Sequence, residues 1–186
     1  MLSVSGLAAC SPTTPSFQSV DLTGAAYARD FRLKDHFGNQ RSLADFQGKV
    51  SVVFFGYTQC PDVCPTSMTK MAEVKRLLGK DAARLQVLFI TVDPERDTQE
   101  LLQTYMQNFD PDFLALRPDP DALPTLAKEF KVYYKKVDGR TATSYTMDHT
   151  AGKYLFDIHG QIRLFAGYAM EASAIAADIQ ALLKSD

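Results

Sequence analysis

Val50-Ser51-Val52-Val53-Phe54-Phe55-Gly56-Tyr57-Thr58-Gln59-Cys60-Pro61-Asp62-Val63-Cys64-Pro65 runs from a strand into a helix. The first six residues are rich in β-branched and aromatic side chains. Their near-continuous apolarity is that of a central parallel strand buried on both faces. Pro61 and Pro65 suit a first helical turn, where a missing N–H has no partner to lose. Met68, Met71, Val74 and Leu78 then recur at helical spacing, which predicts a helix from Pro61 or Pro65 to about Leu78. Two thiols therefore stand at a strand end, beside a helix mouth whose free N–H groups and positive dipole end favour thiolate over thiol. Residues four apart on a helix have Cβ atoms roughly 5–6 Å apart, and a disulfide needs Cα atoms about 4.4–6.8 Å apart. Cys60 and Cys64 can bridge, or can converge on one metal ion. Geometry alone does not separate redox chemistry from metal binding.

Working outward, Phe31-Arg32-Leu33 and Gln40-Arg41-Ser42-Leu43 flank His36-Phe37-Gly38-Asn39 and predict a hairpin near the start of the ordered chain. Leu85 to Val92 is the next buried strand. Asp97, with Glu100 three residues on, reads as the cap of a helix reaching about Phe109. Phe113 to Leu116 is a short apolar segment of strand type, and Asp121 to Phe130 a helix. Val132 to Val137 is extended, with Asp138-Gly139 as a turn. Residues 154–158 and 162–165 form a hairpin around His159-Gly160, and Glu171 to Lys184 is the closing helix.

The chain has 186 residues, enough for one compact α/β domain with a short extension. With 46% hydrophobic and 23% charged residues, a normal core can be buried. The formal net charge is -2 without a basic block, which argues against nucleic acid as a partner. No apolar run approaches the length of a membrane span. Three cysteines are too few for a disulfide scaffold. Leu7-Ala8-Ala9-Cys10 is similar to a bacterial lipobox, in which Cys10 carries lipid and becomes the mature N-terminus. Ser11 to Ala26, rich in Ser, Thr and Pro, reads as a flexible tether. Residues 1–27 are thus expected as leader and tether, and 28–186 as the domain. A diacyl-type anchor at Cys10 would hold that domain outside the cytoplasm.

Hairpin, β-α-β-α, an inserted helical region, then β-β-α is the thioredoxin arrangement: a central mixed sheet flanked by helices. Right-handed crossovers place the cysteine loop at the carboxyl ends of the strands, where α/β sheets bind ligands. Two departures stand out. Thioredoxins use Cys-x-x-Cys, whereas three residues separate Cys60 from Cys64. Thioredoxins also carry a proline before the final hairpin, where this chain has Tyr145-Thr146-Met147-Asp148-His149-Thr150-Ala151-Gly152. His149 stands where that loop should approach the cysteines. A dithiol plus one imidazole is a three-ligand soft site. A structural zinc site normally supplies four protein ligands, and no fourth candidate is visible.

Val53-Phe54-Phe55-Gly56-Tyr57-Thr58 with Cys60-Pro61-Asp62-Val63-Cys64-Pro65-Thr66, then Thr91-Val92-Asp93-Pro94-Glu95-Arg96-Asp97-Thr98, then Asp148-His149-Thr150 before Tyr154-Leu155-Phe156, resemble the Sco/SenC family over residues 28 to 185. The resemblance implies a thioredoxin-like copper protein of the cell envelope, on its periplasmic side. It implies one copper ion per chain, held by Cys60, Cys64 and His149. The implied task is a metallochaperone's: helping to load the binuclear copper centre of cytochrome c oxidase subunit II. The alternatives are a thiol-disulfide oxidoreductase that reduces the cysteines of that centre, or a redox or copper sensor. Either alternative uses Cys60 and Cys64 as the redox-active pair. Another periplasmic copper carrier or a thiol reductant is a further implied partner.

The remaining candidates divide. Met68 and Met71 lie at core spacing and read as packing, while Met147 is open. Asp62 either meets a partner or caps the helix, and Asp148 either orients His149 or belongs to a turn. Asp93, Glu95 and Asp97 resemble an acidic metal loop, but Asp97 reads more simply as a helix cap and Asp93-Pro94 as a strand-end turn, and His36 and His159 read as surface turn residues.

Overall fold

The computed structural model describes residues 16–141 and 144–184. In chain order the elements are β1 (Val20–Asp21), β2 (Leu33–Asp35), β3 (Gln40–Arg41), β4 (Val50–Gly56), α1 (Val63–Leu77), β5 (Leu85–Thr91), α2 (Gln99–Met106) and β6 (Leu114–Arg117). Then follow α3 (Leu123–Glu129), β7 (Tyr134–Asp138), β8 (Tyr145–His149), β9 (Lys153–Phe156), β10 (Ile162–Ala166) and α4 (Ala172–Leu182). The main sheet is mixed, in the order β1-β10-β9-β4-β5-β6-β2-β3. β4, β5 and β6 run parallel, in a register that pairs Val50 with Leu85 and Gly56 with Thr91. The expected β-α-β unit, the expected terminal hairpin and the thioredoxin-like arrangement are all present.

Every residue of β4 and β5 is buried, as their continuous apolar runs require. Alternation sends Phe54 to one face, where it meets Phe89. Phe55 goes to the other, edge-on to Phe130 just beyond α3. Tyr105 of α2 packs on Phe89. α1 buries Cys64, Met68, Met71 and Val74, so both core methionines pack as their spacing implies.

Four expectations need correction. The tether reading fails in its second half. The N–H groups of Gln18 and Ser19 donate to the Asp178 carboxylate at 2.8 Å each, and β1 adds an edge strand beside β10. Order therefore begins well before Phe31, because a buried carboxylate on α4 captures polar backbone that no hydrophobic pattern marks. Cys10 lies outside the described residues. Second, His36 is not on the surface: it is 4% exposed, and its Nδ1 accepts from the Ala115 N–H at 3.0 Å. An imidazole here does the work of a strand carbonyl. Third, α2 is capped by Thr98, whose hydroxyl accepts from the Leu101 N–H, and not by Asp97. Asp97 is fully buried instead. Fourth, the extended segment after α3 does not stand alone. It pairs with residues 145–149 as a separate two-stranded antiparallel sheet, β7-β8, with Tyr134 opposite His149. His149 thus closes a strand and does not ride on a loop.

Among the described residues, no helix is long and apolar enough to cross a membrane.

Candidate metal centre

The cysteine loop leaves β4 at Gly56, and β4's last carbonyl still accepts from the Val92 N–H at 2.8 Å. The chain then turns, with the Cys60 N–H donating to the Tyr57 carbonyl. Asp62 occupies the N-cap position of α1 without its carboxylate receiving a backbone N–H; it accepts the Thr66 hydroxyl instead. The vacant donors serve sulfur: the Cys64 N–H points at Cys60 Sγ over 3.4 Å. Gly56 makes room for the second thiol. A Cβ at that position would lie 2.9 Å from Cys64 Sγ and 2.8 Å from the Phe89 ring.

The two thiols differ. Cys60 is half-buried and Cys64 fully buried. The Cys64 thiol donating to Cys60, the His149 ring and the Asp62 and Cys64 backbone N–H groups hold the Cys60 thiol down to about 3, against the effect of burial. The same Cys64–Cys60 bond and the burial of Cys64 push the Cys64 thiol up. The two sulfurs are coupled, with Cys60 the more acidic of the pair.

His149 completes the group. Its Nε2 is 3.3 Å from Cys64 Sγ, and its Nδ1 is 3.1 Å from the Thr150 carbonyl oxygen. A carbonyl only accepts, so Nδ1 donates to it, and Nε2 is the ring nitrogen that faces the sulfurs and can bind an ion once it carries no proton. Phe54 and Tyr57 wall the ring at 6.0 and 5.9 Å, both edge-on. Asp148 points outward to solvent, so Thr150 orients the imidazole and Asp148 does not. Met147 is buried on the inner face of β8, in line with His149.

Sγ of Cys60, Sγ of Cys64 and one ring nitrogen of His149 all lie within 4.8 Å of one another. Ligands bound about 2.0–2.3 Å from one soft ion stand about 4 Å apart, so small adjustments suffice to close the three on a single ion. The sequence brought these three residues forward, and the structure brings them together.

Residues behind the site went unrecognised. The Asp97 carboxylate accepts from the Thr58 N–H, from the Thr58 hydroxyl at 2.6 Å and from the Thr91 hydroxyl at 2.6 Å. It thereby ties the cysteine loop to the end of β5. Burial raises its own pKa despite these donors. The cue was an acidic residue just past a buried strand, which also fits an ordinary helix cap. Lys153 at the start of β9 is 0% exposed, and its Nζ lies 5.6 Å from the Phe54 ring centroid.

Residues 20–184 match the family model described as SCO1/SenC. An SCO2-like protein of Rickettsia felis is 37% identical over 133 residues, covering 71% of this chain and 65% of that protein, so the match spans slightly less than two thirds of the relative's length. Among solved structures, Bradyrhizobium japonicum ScoI with copper bound is 40% identical, covers 82% of this chain and 97% of its own, and superposes with a TM-score of 0.75. Yeast Sco1 with copper bound is 31% identical, with coverages of 84% and 88% and a TM-score of 0.75. A dithiol and an imidazole converging at the carboxyl end of a thioredoxin-like sheet thus go together with sequence similarity along nearly the whole domain, and the chain belongs to the SCO1/SenC family.

Proposed function

We propose that the protein is a copper carrier that takes one ion on Cys60, Cys64 and His149 and delivers it to the binuclear copper centre of cytochrome c oxidase subunit II. The observation that carries this reading is the convergence of two sulfurs and an oriented Nε2 at an accessible strand end. Two thiolates suit Cu(I), and the imidazole adds the borderline ligand that Cu(II) needs. Three ligands leave a position for an incoming donor, which a carrier requires for release. Copper-bound ScoI and yeast Sco1 support the same assignment. The experiment is copper stoichiometry on the reduced protein, with absorption spectra after adding Cu(II). One ion per chain and a thiolate-to-copper charge-transfer band are expected. Binding elsewhere, without that band, sinks the reading.

A second reading rests on the asymmetry of the thiols. Half-buried, acidic Cys60 is built to attack a partner's disulfide, breaking its S–S bond and forming a mixed disulfide. The Cys64 thiol, giving up its proton, then attacks Cys60 Sγ and releases the partner as a dithiol. The protein ends oxidised at Cys60–Cys64, and a separate thiol reductant must restore it. Metal-free reduction of a copper-centre disulfide at a useful rate would favour this role over delivery. We further propose that the domain works on the periplasmic side of the cell envelope, with lipid at Cys10 as its anchor. Mass spectrometry of the peptide bearing Cys10 from intact cells tests that: an unmodified cysteine there removes the anchor.

A further inference from the structure

β7-β8 shares no strand pairing with the main sheet. A cleft of about 200 Å³, lined in part by Pro94, Glu95, Leu123, Tyr134, Lys136 and Met147, lies between it and the loop after β5. His149 is nevertheless held beside Cys64, so something must fix the hairpin across that gap. Both chain ends of the hairpin lie at its His149 end, tied by short links to α3 and β9. Its other end, where Asp138 faces Tyr145, has no such covalent tie.

We infer that Arg96 is a positioning residue that locks the His149 strand to the cysteine loop. Its Nη1 donates to the Tyr145 carbonyl on β8 at 3.0 Å and to Gln59 Oε1, next to Cys60, at 3.2 Å. Its Nε donates to Asp93, and its guanidinium stacks 3.5 Å from the Tyr145 ring centroid. Tyr145 repeats the tie by donating its hydroxyl to Asp93 at 2.9 Å. One planar side chain therefore touches the residue before Cys60 and the first residue of the strand that ends in His149. Only a guanidinium fork offers that many donors in fixed directions. The loop presenting it is itself anchored: Arg117 of β6 donates to the Pro94 carbonyl at 2.7 Å and the Asp97 carbonyl at 3.0 Å. Arg96 transmits the rigidity of the main sheet to a hairpin outside it. The exposed Lys136–Glu95 pair, at 3.8 Å, adds little.

The inference deepens the copper reading, but its first test needs no metal. In the reduced, metal-free protein, Arg96→Ala should speed amide hydrogen exchange in β7-β8 by about tenfold or more relative to β4 and β5, the loss of charged hydrogen bonds being local. It should also move the His149 ring signals in NMR spectra. Arg96→Lys should recover part of the effect. Arg163→Ala, which breaks an arginine–aspartate bridge with Asp157 at the opposite end of the sheet, should leave both readouts unchanged. If the alanine variant does not fold, Arg96→Gln carries the same comparison. Exchange that rises equally in core and hairpin, or an unmoved His149 ring, overturns the inference. With copper, Arg96→Ala should weaken Cu(II) by about tenfold or more and shift the charge-transfer band, as loss of an outer-shell partner does, while Cu(I) binding holds. Parallel loss of both oxidation states is the contrary result. A wild type that binds no copper defeats the carrier reading and leaves the metal-free comparison to decide the role of Arg96.

Discussion

The two cysteines and the histidine meet at one point but come from regions of different build. Cys60 and Cys64 follow a strand buried throughout and open a helix whose inner face is core. His149 ends a two-stranded sheet whose first strand is largely exposed. Hydrophobic burial fixes the thiols, whereas the imidazole half rests on one core methionine, Met147, on the flanking aromatic rings and on polar bonds across a cleft. The difference teaches that the site is not one rigid cage. Its dithiol half is expected to be as stable as the domain, and its imidazole half to open at lower free energy.

That contrast can be broken most forcefully at His149. His149→Ala should weaken Cu(II) by about a hundredfold or more, since loss of a ligand should exceed loss of its outer-shell partner. Cu(I), held by the thiolates, should change little. Competition titrations against chelators for each oxidation state measure both, and equal losses would show the two halves acting as one.

Lys153 probes the core side. Burial, with the charge of Lys70 added, holds its amine down to about 8 from an ordinary 10.5. Below about pH 8 both folded and unfolded chains carry the proton, and the folded state bears the full penalty, roughly 3 kcal/mol. Between about 8 and 10.5 the unfolded chain binds more protons, so raising the pH through that window favours folding. Lys153→Met should therefore be more stable than wild type at neutral pH by up to about 3 kcal/mol, and the gap should narrow as pH approaches 10.5. Urea midpoints of both proteins across this range decide it; a constant gap would mean that the folded amine keeps its proton throughout and that burial does not lower its pKa.

Gly56→Ala sharpens the contrast at the junction of strand and loop. The added methyl meets Cys64 Sγ, Phe54 and Phe89, all in packed surroundings. A loss of about 1–3 kcal/mol is expected, as for other overpacked cores, with a disturbed thiolate spectrum. Calorimetry and the charge-transfer band report the two effects, and an unaltered band would free Cys64 from its dependence on Gly56. The smallest effect belongs to the hairpin. Tyr145→Phe removes one hydrogen bond to Asp93, about 0.5–1.5 kcal/mol, and the change should appear in hydrogen exchange of β7-β8 and not in the core strands. Equal slowing or speeding everywhere would deny the hairpin its separate stability.

The thiol half was readable in sequence because its cues are local: an apolar run, two prolines and cysteines four apart. The position of His149 followed from its place before the final hairpin, but its strand did not. β7 is exposed along most of its length, so its side chains carry no alternation of burial, and its pairing spans a turn that hydrophobicity does not mark. Asp97 and Arg96 were legible only as charges near a strand end. Their partners, Thr58, Gln59 and Tyr145, are 37 to 49 residues away. Lys153 is the reverse case, a charged residue type in a wholly buried place, which no pattern of polarity anticipates.

The unequal exposure of Cys60 and Cys64 gives traffic through the site a direction. An approaching thiolate meets Cys60 first, and Cys64 is screened behind the Gly56 turn and the imidazole. On the proposed carrier role, hand-over would proceed by successive ligand exchange from the outer sulfur inward. The donor a departing ion leaves last is the one no solvent molecule can reach.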